Sequence, residues 1–185
     1  MKGGALAART VFVEQHFGDG AWARVLGSLP AEMRSTLGMI LPTSWYSFEL
    51  AKAVDDAIVQ VLGRGDRRVF EDIGAASAEK NLKGSHRHFL ERGDPQAFMA
   101  KAAVIYGFYY DTGRREYQPT GPDSGIMTTW DAETFSAADC LTVIGWYKRA
   151  LELCGASGVT MTEETCRATQ GPCCRYVVRW ATRPS

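Results

Sequence analysis

Long apolar runs are scarce in this sequence. The longest, Ala102 to Tyr110, falls far short of the ~20 residues that cross a bilayer, so a membrane-spanning helix is excluded. Arg9 interrupts the N-terminal stretch before it reaches the length of a signal peptide, which predicts a cytoplasmic chain. Excess charge of either sign is also missing. Lysine plus arginine (21) equals aspartate plus glutamate (21), leaving no field to draw nucleic acid or an anionic membrane. Histidine is limited to three residues. His86 and His88, two apart, point to different sides of a helix among Lys83, Arg87 and Arg92, the pattern of a solvated turn. No serine, histidine and acid arrangement stands out. Gly18-Asp19-Gly20 and Gly63-Arg64-Gly65 lack the lysine and the strand-to-helix setting of a phosphate loop. Nothing here points to an enzyme.

What is present suits one domain over residues 1–185, with 45% apolar residues to build a core without disulfides. Five cysteines are an odd number. Cys154, Cys166, Cys173 and Cys174 crowd toward the C-terminal end, which suits metal binding in a reducing compartment better than a disulfide framework.

The first two-thirds read as helical. Leu6, Val13 and Phe17 share one face of a first helix ending at Gly18, and Trp22, Val25, Leu26 and Leu29 continue to Pro30. A longer helix is predicted from about Trp45 to Leu62 and another from Arg67 to Leu82. Asp94-Pro95 opens a further one, aspartate as N-cap and proline at the first helical position, whose aromatics from Phe98 to Tyr110 predict burial. After Gly113, Arg114 to Gln118 and Ile126 to Trp130 read as a hairpin. Ser136 starts a helix through Cys154, and Val159 to Cys166 with Cys174 to Trp180 form a second hairpin. The expected fold class is α+β: a helical N-terminal portion packed on a small antiparallel sheet made of two hairpins with a helix between them.

Strand alternation gives the sharpest local inference, because residues two apart share a face. Val159, Met161 and Glu163 share one face, and Cys174, Tyr176, Val178 and Trp180 form the apolar face of the next strand. An ionised carboxylate turned to the core costs several kcal/mol unless compensated, and no lysine or arginine shares its strand face. Cys140 lies in the first turn of a helix, where a thiolate is favoured. Cys166 and Cys174 bracket one tight turn. Three thiolates and a carboxylate would complete a closed tetrahedral metal shell of structural type. The same residues also read as ordinary buried cysteines beside a hydrogen-bonded or protonated glutamate, and spacing alone does not choose.

Cys140, Gly145, Glu163, Cys166, Gly171 and Cys174, in the frame C-x4-G-x17-E-x2-C-x4-G-x2-C, resemble the 4-vinyl-reductase type small-molecule-binding domain, and the chain is also similar to myxobacterial proteins of this size. The resemblance implies a fold shared with Bet3-like tethering proteins. It implies a structural zinc on Cys140, Glu163, Cys166 and Cys174, within a metal-binding subregion spanning 136–181. It also implies an apolar pocket, with Phe98, Tyr106 and Trp130 as candidate walls, and dimerisation through the helical face. Relatives that sense phenols carry a histidine after a Pro-Gln pair. Pro95-Gln96 here is followed by Ala97 and Phe98, which implies a more apolar ligand.

The resulting expectation is a stand-alone regulatory or sensory domain that binds a small hydrophobic, aromatic or lipid-like molecule and signals to a separate partner protein. One rival is a protein–protein interaction scaffold without a ligand. A weaker rival is an enzyme acting on a tetrapyrrole or other hydrophobic substrate. A cavity of roughly 300 Å3 or more favours the first reading and a packed interior the scaffold.

Overall fold

The computed structural model describes residues 1–133 and 135–182. Among them are eight helices and four strands in the α+β order that the sequence pattern predicts. The N-terminal portion holds α1 (Gly3–Phe17), α2 (Ala21–Gly27), α3 (Ala31–Leu37), α4 (Phe48–Val61) and α5 (Val69–Lys83). The short α6 (Pro95–Met99) and α7 (Ala102–Tyr109) lead to β1 (Arg114–Gly121) and β2 (Ser124–Trp130). Then come α8 (Ala137–Leu153), β3 (Ala156–Thr165) and β4 (Cys174–Thr182).

The two hairpins join into one antiparallel sheet of order β1-β2-β4-β3, with Met127 opposite Tyr176 and Met161 opposite Val178. These four side chains are buried with Cys140, Val143, Trp146 and Tyr147 of α8, so that helix covers the inner face of the sheet. A second core joins Phe12 and Val13 of α1 to Val25, Val54, Ile58, Phe70 and Ile73.

Helix α8 is held closely on its other side. A Cβ at Gly145 would lie 1.9 Å from the Glu71 carbonyl oxygen, and one at Gly74 would lie 2.1 Å from that of Thr142. The backbones of α5 and α8 therefore touch where both helices carry glycine, a crossing that any side chain would wedge apart. Ser136 starts α8, its Oγ accepting a hydrogen bond from the Asp139 amide at 3.0 Å. Ser136→Ala is expected to cost about 1 kcal/mol and lower Tm by a few degrees in thermal unfolding.

Several expectations need correction. The helix expected from Trp45 begins at Phe48, because Ser47 caps it by accepting from the Leu50 amide at 3.3 Å. The aromatic helix after Asp94 is two helices. The Lys101 amide donates to the Phe98 carbonyl at 3.0 Å, a tightened turn that closes α6 before α7 begins. Its burial is one-sided, since Val104 and Phe108 are exposed, and Phe17 at the end of α1 is exposed as well. Helix α3 gave little sequence signal because it buries no residue fully and offers only Met33 and Leu37, four apart, to the core.

Candidate functional site

Four side chains singled out in the sequence meet at one end of the sheet. Ligand atoms of Cys140, Glu163, Cys166 and Cys174 all lie within 4.8 Å of one another. Cys140 Sγ is 3.5 Å from Cys166 Sγ and 3.8 Å from Cys174 Sγ. The local backbone explains the convergence. Simple alternation would put Glu163 and Cys166, three apart, on opposite faces. A bulge between Glu163, opposite Tyr176, and Thr165, opposite Arg175, resets the parity and brings Cys166 to the side of Glu163. Glu164 is thereby turned outward to accept from Arg175 Nε at 2.9 Å. The following turn closes on the Cys166 carbonyl, which accepts from the Thr169 and Gly171 amides at 3.1 and 2.8 Å. A Cβ at Gly171 would sit 2.8 Å from that same oxygen.

The cluster's electrostatics are those of thiols sharing protons. A hydrogen bond from Cys140 holds the Cys174 thiol below its ordinary range, and the Arg167 amide donates to the same sulfur at 3.4 Å. The matching bond to Cys174, with burial, raises Cys140. Burial pushes Cys166 up to about 11. Glu163 Oε1 is buried and meets no hydrogen-bond partner among the described residues. A metal ion would compensate both the unpaired carboxylate oxygen and the three sulfurs. The other two cysteines stand apart. Cys154 ends α8 in the apolar core, and Cys173 lies on the other side of β4, 3.5 Å from Thr165 Oγ1.

A cavity of about 50 Å3 lies between α1, α5, α7 and α8. Its walls include Ala8, Ile73, Ile105 and Val143 together with the polar groups of Arg9, Tyr106, Tyr110, Arg115, Asp139, Trp146 and Tyr147. A smaller void of about 10 Å3, lined by Tyr110, Arg115, Cys140, Cys174 and Tyr176, separates it from the cysteine cluster. Buried charges surround the cavity. Arg9 donates to both Asp55 oxygens at 2.5 and 2.9 Å, and to the Ala5 carbonyl at 2.9 Å. Asp139 accepts from the Tyr110 hydroxyl at 2.8 and 3.0 Å and lies 4.0 Å from Arg9. Burial pushes the Asp139 carboxyl up to about 6 against the pull of Arg9 and Tyr110.

Of the candidate pocket residues, Tyr106 lines the cavity, its hydroxyl donating to the Thr112 carbonyl at 2.7 Å. Phe98 stands behind the wall, its ring 6.2 Å from that of Trp146. Trp130 lies elsewhere. It shares the outer face of β2 with Thr128 and donates from Nε1 to Glu116 at 3.1 Å. Sequence reading missed Arg9, Asp55, Arg115 and Asp139. The available signal was Arg9 itself, a charge on the helical stripe of Leu6, Phe12 and Val13.

The sequence matches no family model and no curated protein. Solved structures do share its architecture, and they define the class as an H-NOX fold. An Fe(II) unliganded H-NOX protein from K. algicida aligns at 11% identity with a TM-score of 0.75, covering 100% of this chain and 99% of that one. An H-NOX protein from S. oneidensis in the Fe(II)NO ligation state aligns at 14% identity and TM-score 0.75, covering 98% and 100%. An oxygen-binding H-NOX domain related to soluble guanylate cyclases aligns at 11% identity and TM-score 0.70, covering 98% and 96%.

These neighbours correct two expectations and remove the basis of a third. The likeness is to H-NOX domains and not to 4-vinyl-reductase or Bet3-like domains, so the resemblance drawn from the cysteine frame is overturned. Zinc as cofactor falls with it, since H-NOX domains bind haem. Dimerisation, implied by the same resemblance, loses its basis. The residues of this chain do not fit a haem either. The cavity of about 50 Å3 is several-fold smaller than the roughly 300–1,000 Å3 of ordinary ligand sites. Among the described residues no histidine, cysteine or methionine lines it, and His86 stands behind the wall, its Nδ1 2.9 Å from the Tyr109 hydroxyl. No helix of the described chain is long and apolar enough to cross a membrane.

Proposed function

We propose that the chain is a sensory or regulatory domain that takes a small molecule into the cavity between α1, α5, α7 and α8. In this reading Cys140, Glu163, Cys166 and Cys174 hold a thiophilic metal ion that ties β3 and β4 to the start of α8. The observation that carries it is the adjacency of the two features. Asp139 lines the cavity and the adjacent Cys140 belongs to the cysteine cluster, so a ligand that moves the first turn of α8 bears on both. The fold supports a sensing role, because the H-NOX structures that share it include NO-ligated and oxygen-bound forms. The signal would pass to a separate partner protein.

The aromatic or lipid-like ligand expected from the sequence does not suit a void of about 50 Å3, so the ligand of this reading is smaller than that. That same small volume favours a second reading, the interaction scaffold with a filled interior. A thermal-shift panel of small anions, amides and phenols separates them. The sensory reading expects at least one compound to raise Tm saturably, as a ligand specific to the folded state must. No response from any compound would favour the scaffold.

The metal set has its own test. Cys140→Ser, Glu163→Ala, Cys166→Ser and Cys174→Ser are each expected to lower metal content and Tm together, because coordination energy at such a site is folding energy. Cys154→Ser and Cys173→Ser are expected to leave the metal content unchanged. Equal loss across all six variants would remove the assignment.

A further inference from the structure

Resting on the small-molecule reading above, we propose that the cavity is a receptor site for a compact monovalent oxyanion of carboxylate size, held by Arg115, Trp146 and Tyr147. The size is set by the void. At roughly 10–15 Å3 per water-sized occupant, about 50 Å3 admits a molecule of on the order of four heavy atoms.

The chemistry is set by donors that the protein leaves unmatched. The Trp146 Nε1 is buried and meets no hydrogen-bond partner among the described residues, and the Tyr147 hydroxyl, whose oxygen faces the Arg115 guanidinium, meets no acceptor for its own proton. Both residues line the cavity and are nine-tenths or more buried, at 2% and 8% exposure. Arg115, 7% exposed, gives its Nε to Thr129 Oγ1 at 2.9 Å and lies between the rings of Tyr106 and Tyr147, 4.7 and 5.6 Å from their centroids. No carboxylate of the described residues forms an ion pair with its guanidinium, and Asp139 acts on it only from a distance. An arginine cannot shed its charge on burial, so its planar donors favour a planar anionic acceptor.

The remaining polar groups are already engaged. Arg9 is matched to Asp55, and Asp139 to Tyr110. The Asp139 carboxylate also lines the cavity, and its repulsion restricts the occupant to a single negative charge. Arg115 and Tyr110 line both this cavity and the smaller void that reaches Cys140 and Cys174, so an anion bound here would abut the cysteine cluster.

Titration of the full-length protein with acetate, with isosteric neutral acetamide and with chloride at matched ionic strength tests this by calorimetry and thermal shift. Acetate is expected to bind saturably and the other two not. Tyr147→Phe keeps the ring and removes only the hydroxyl. It is expected to weaken acetate about tenfold or more while changing the Tm of the ligand-free protein by no more than a few degrees, a split that a purely structural role for Tyr147 would not give. Acetate no better than chloride, or unchanged acetate affinity in Tyr147→Phe, would overturn the assignment. Binding of acetamide alone would overturn the oxyanion class and leave the small-molecule reading standing. Silence from every compound, including the wider panel, would overturn both.

Discussion

Asp55→Asn is expected to destabilise the protein by about 3–5 kcal/mol, enough to lower Tm by roughly 10 °C or more. Asp55 and Arg9 are each 1% exposed, and Asp55 supplies two of the three oxygens that Arg9 meets within 3 Å, the third being the neutral Ala5 carbonyl. Removing that charge leaves the guanidinium buried with only Asp139, 4.0 Å away and already accepting from Tyr110. Burial alone would disfavour the charged form of Arg9, and the two aspartates outweigh it. The cost is thus that of an orphaned charge more than of a lost bond. Arg9→Met with Asp55→Leu should recover most of it, since apolar replacement of both partners is often neutral. Urea denaturation checks this. A single variant that loses less than about 1 kcal/mol would show that water reaches the pair.

Gly145→Ala is expected to cost at least about 3 kcal/mol, at the upper end of what overpacking does, because the new methyl meets backbone and not a movable side chain. Its Cβ would fall 1.9 Å from the Glu71 carbonyl oxygen, so α5 and α8 must separate. The sign is the opposite of the usual gain from glycine to alanine inside a helix. Gly107 of α7 has open space around its Cβ, and Gly107→Ala should stabilise by about 0.5–1 kcal/mol. Because α8 carries Cys140 and Asp139 as well, Gly145→Ala should also reduce metal content. Equal effects of the two substitutions in chemical denaturation would mean that the helices are not in backbone contact.

The sequence made the strands and the cysteine cluster legible because a two-residue period is strict. Met161 and Glu163, then Cys174, Tyr176 and Val178, turn inward as alternation requires. Alternation could not reveal the bulge after Glu163, which makes Cys166 a neighbour of Glu163 and not its opposite. Gly145 belonged to the recognised spacing, but its reason is the helix crossing at Gly74, a contact between positions far apart in sequence. The polar cavity stayed hidden for a different cause. Arg115 sits between Arg114 and Glu116 in a run charged on both faces, so its alternation carried no apolar signal to mark the inner face, where it meets Thr129. At 11–14% identity, the kinship in fold with H-NOX domains is carried by element order and packing, and spacing alone favoured a different resemblance.

The most direct test of the account is metal analysis of the full chain purified under reducing conditions, with its absorption spectrum. The account expects about one metal ion per chain, lost in Cys174→Ser, and no porphyrin absorption. A metal-free folded protein, or one carrying a stoichiometric porphyrin, would contradict it.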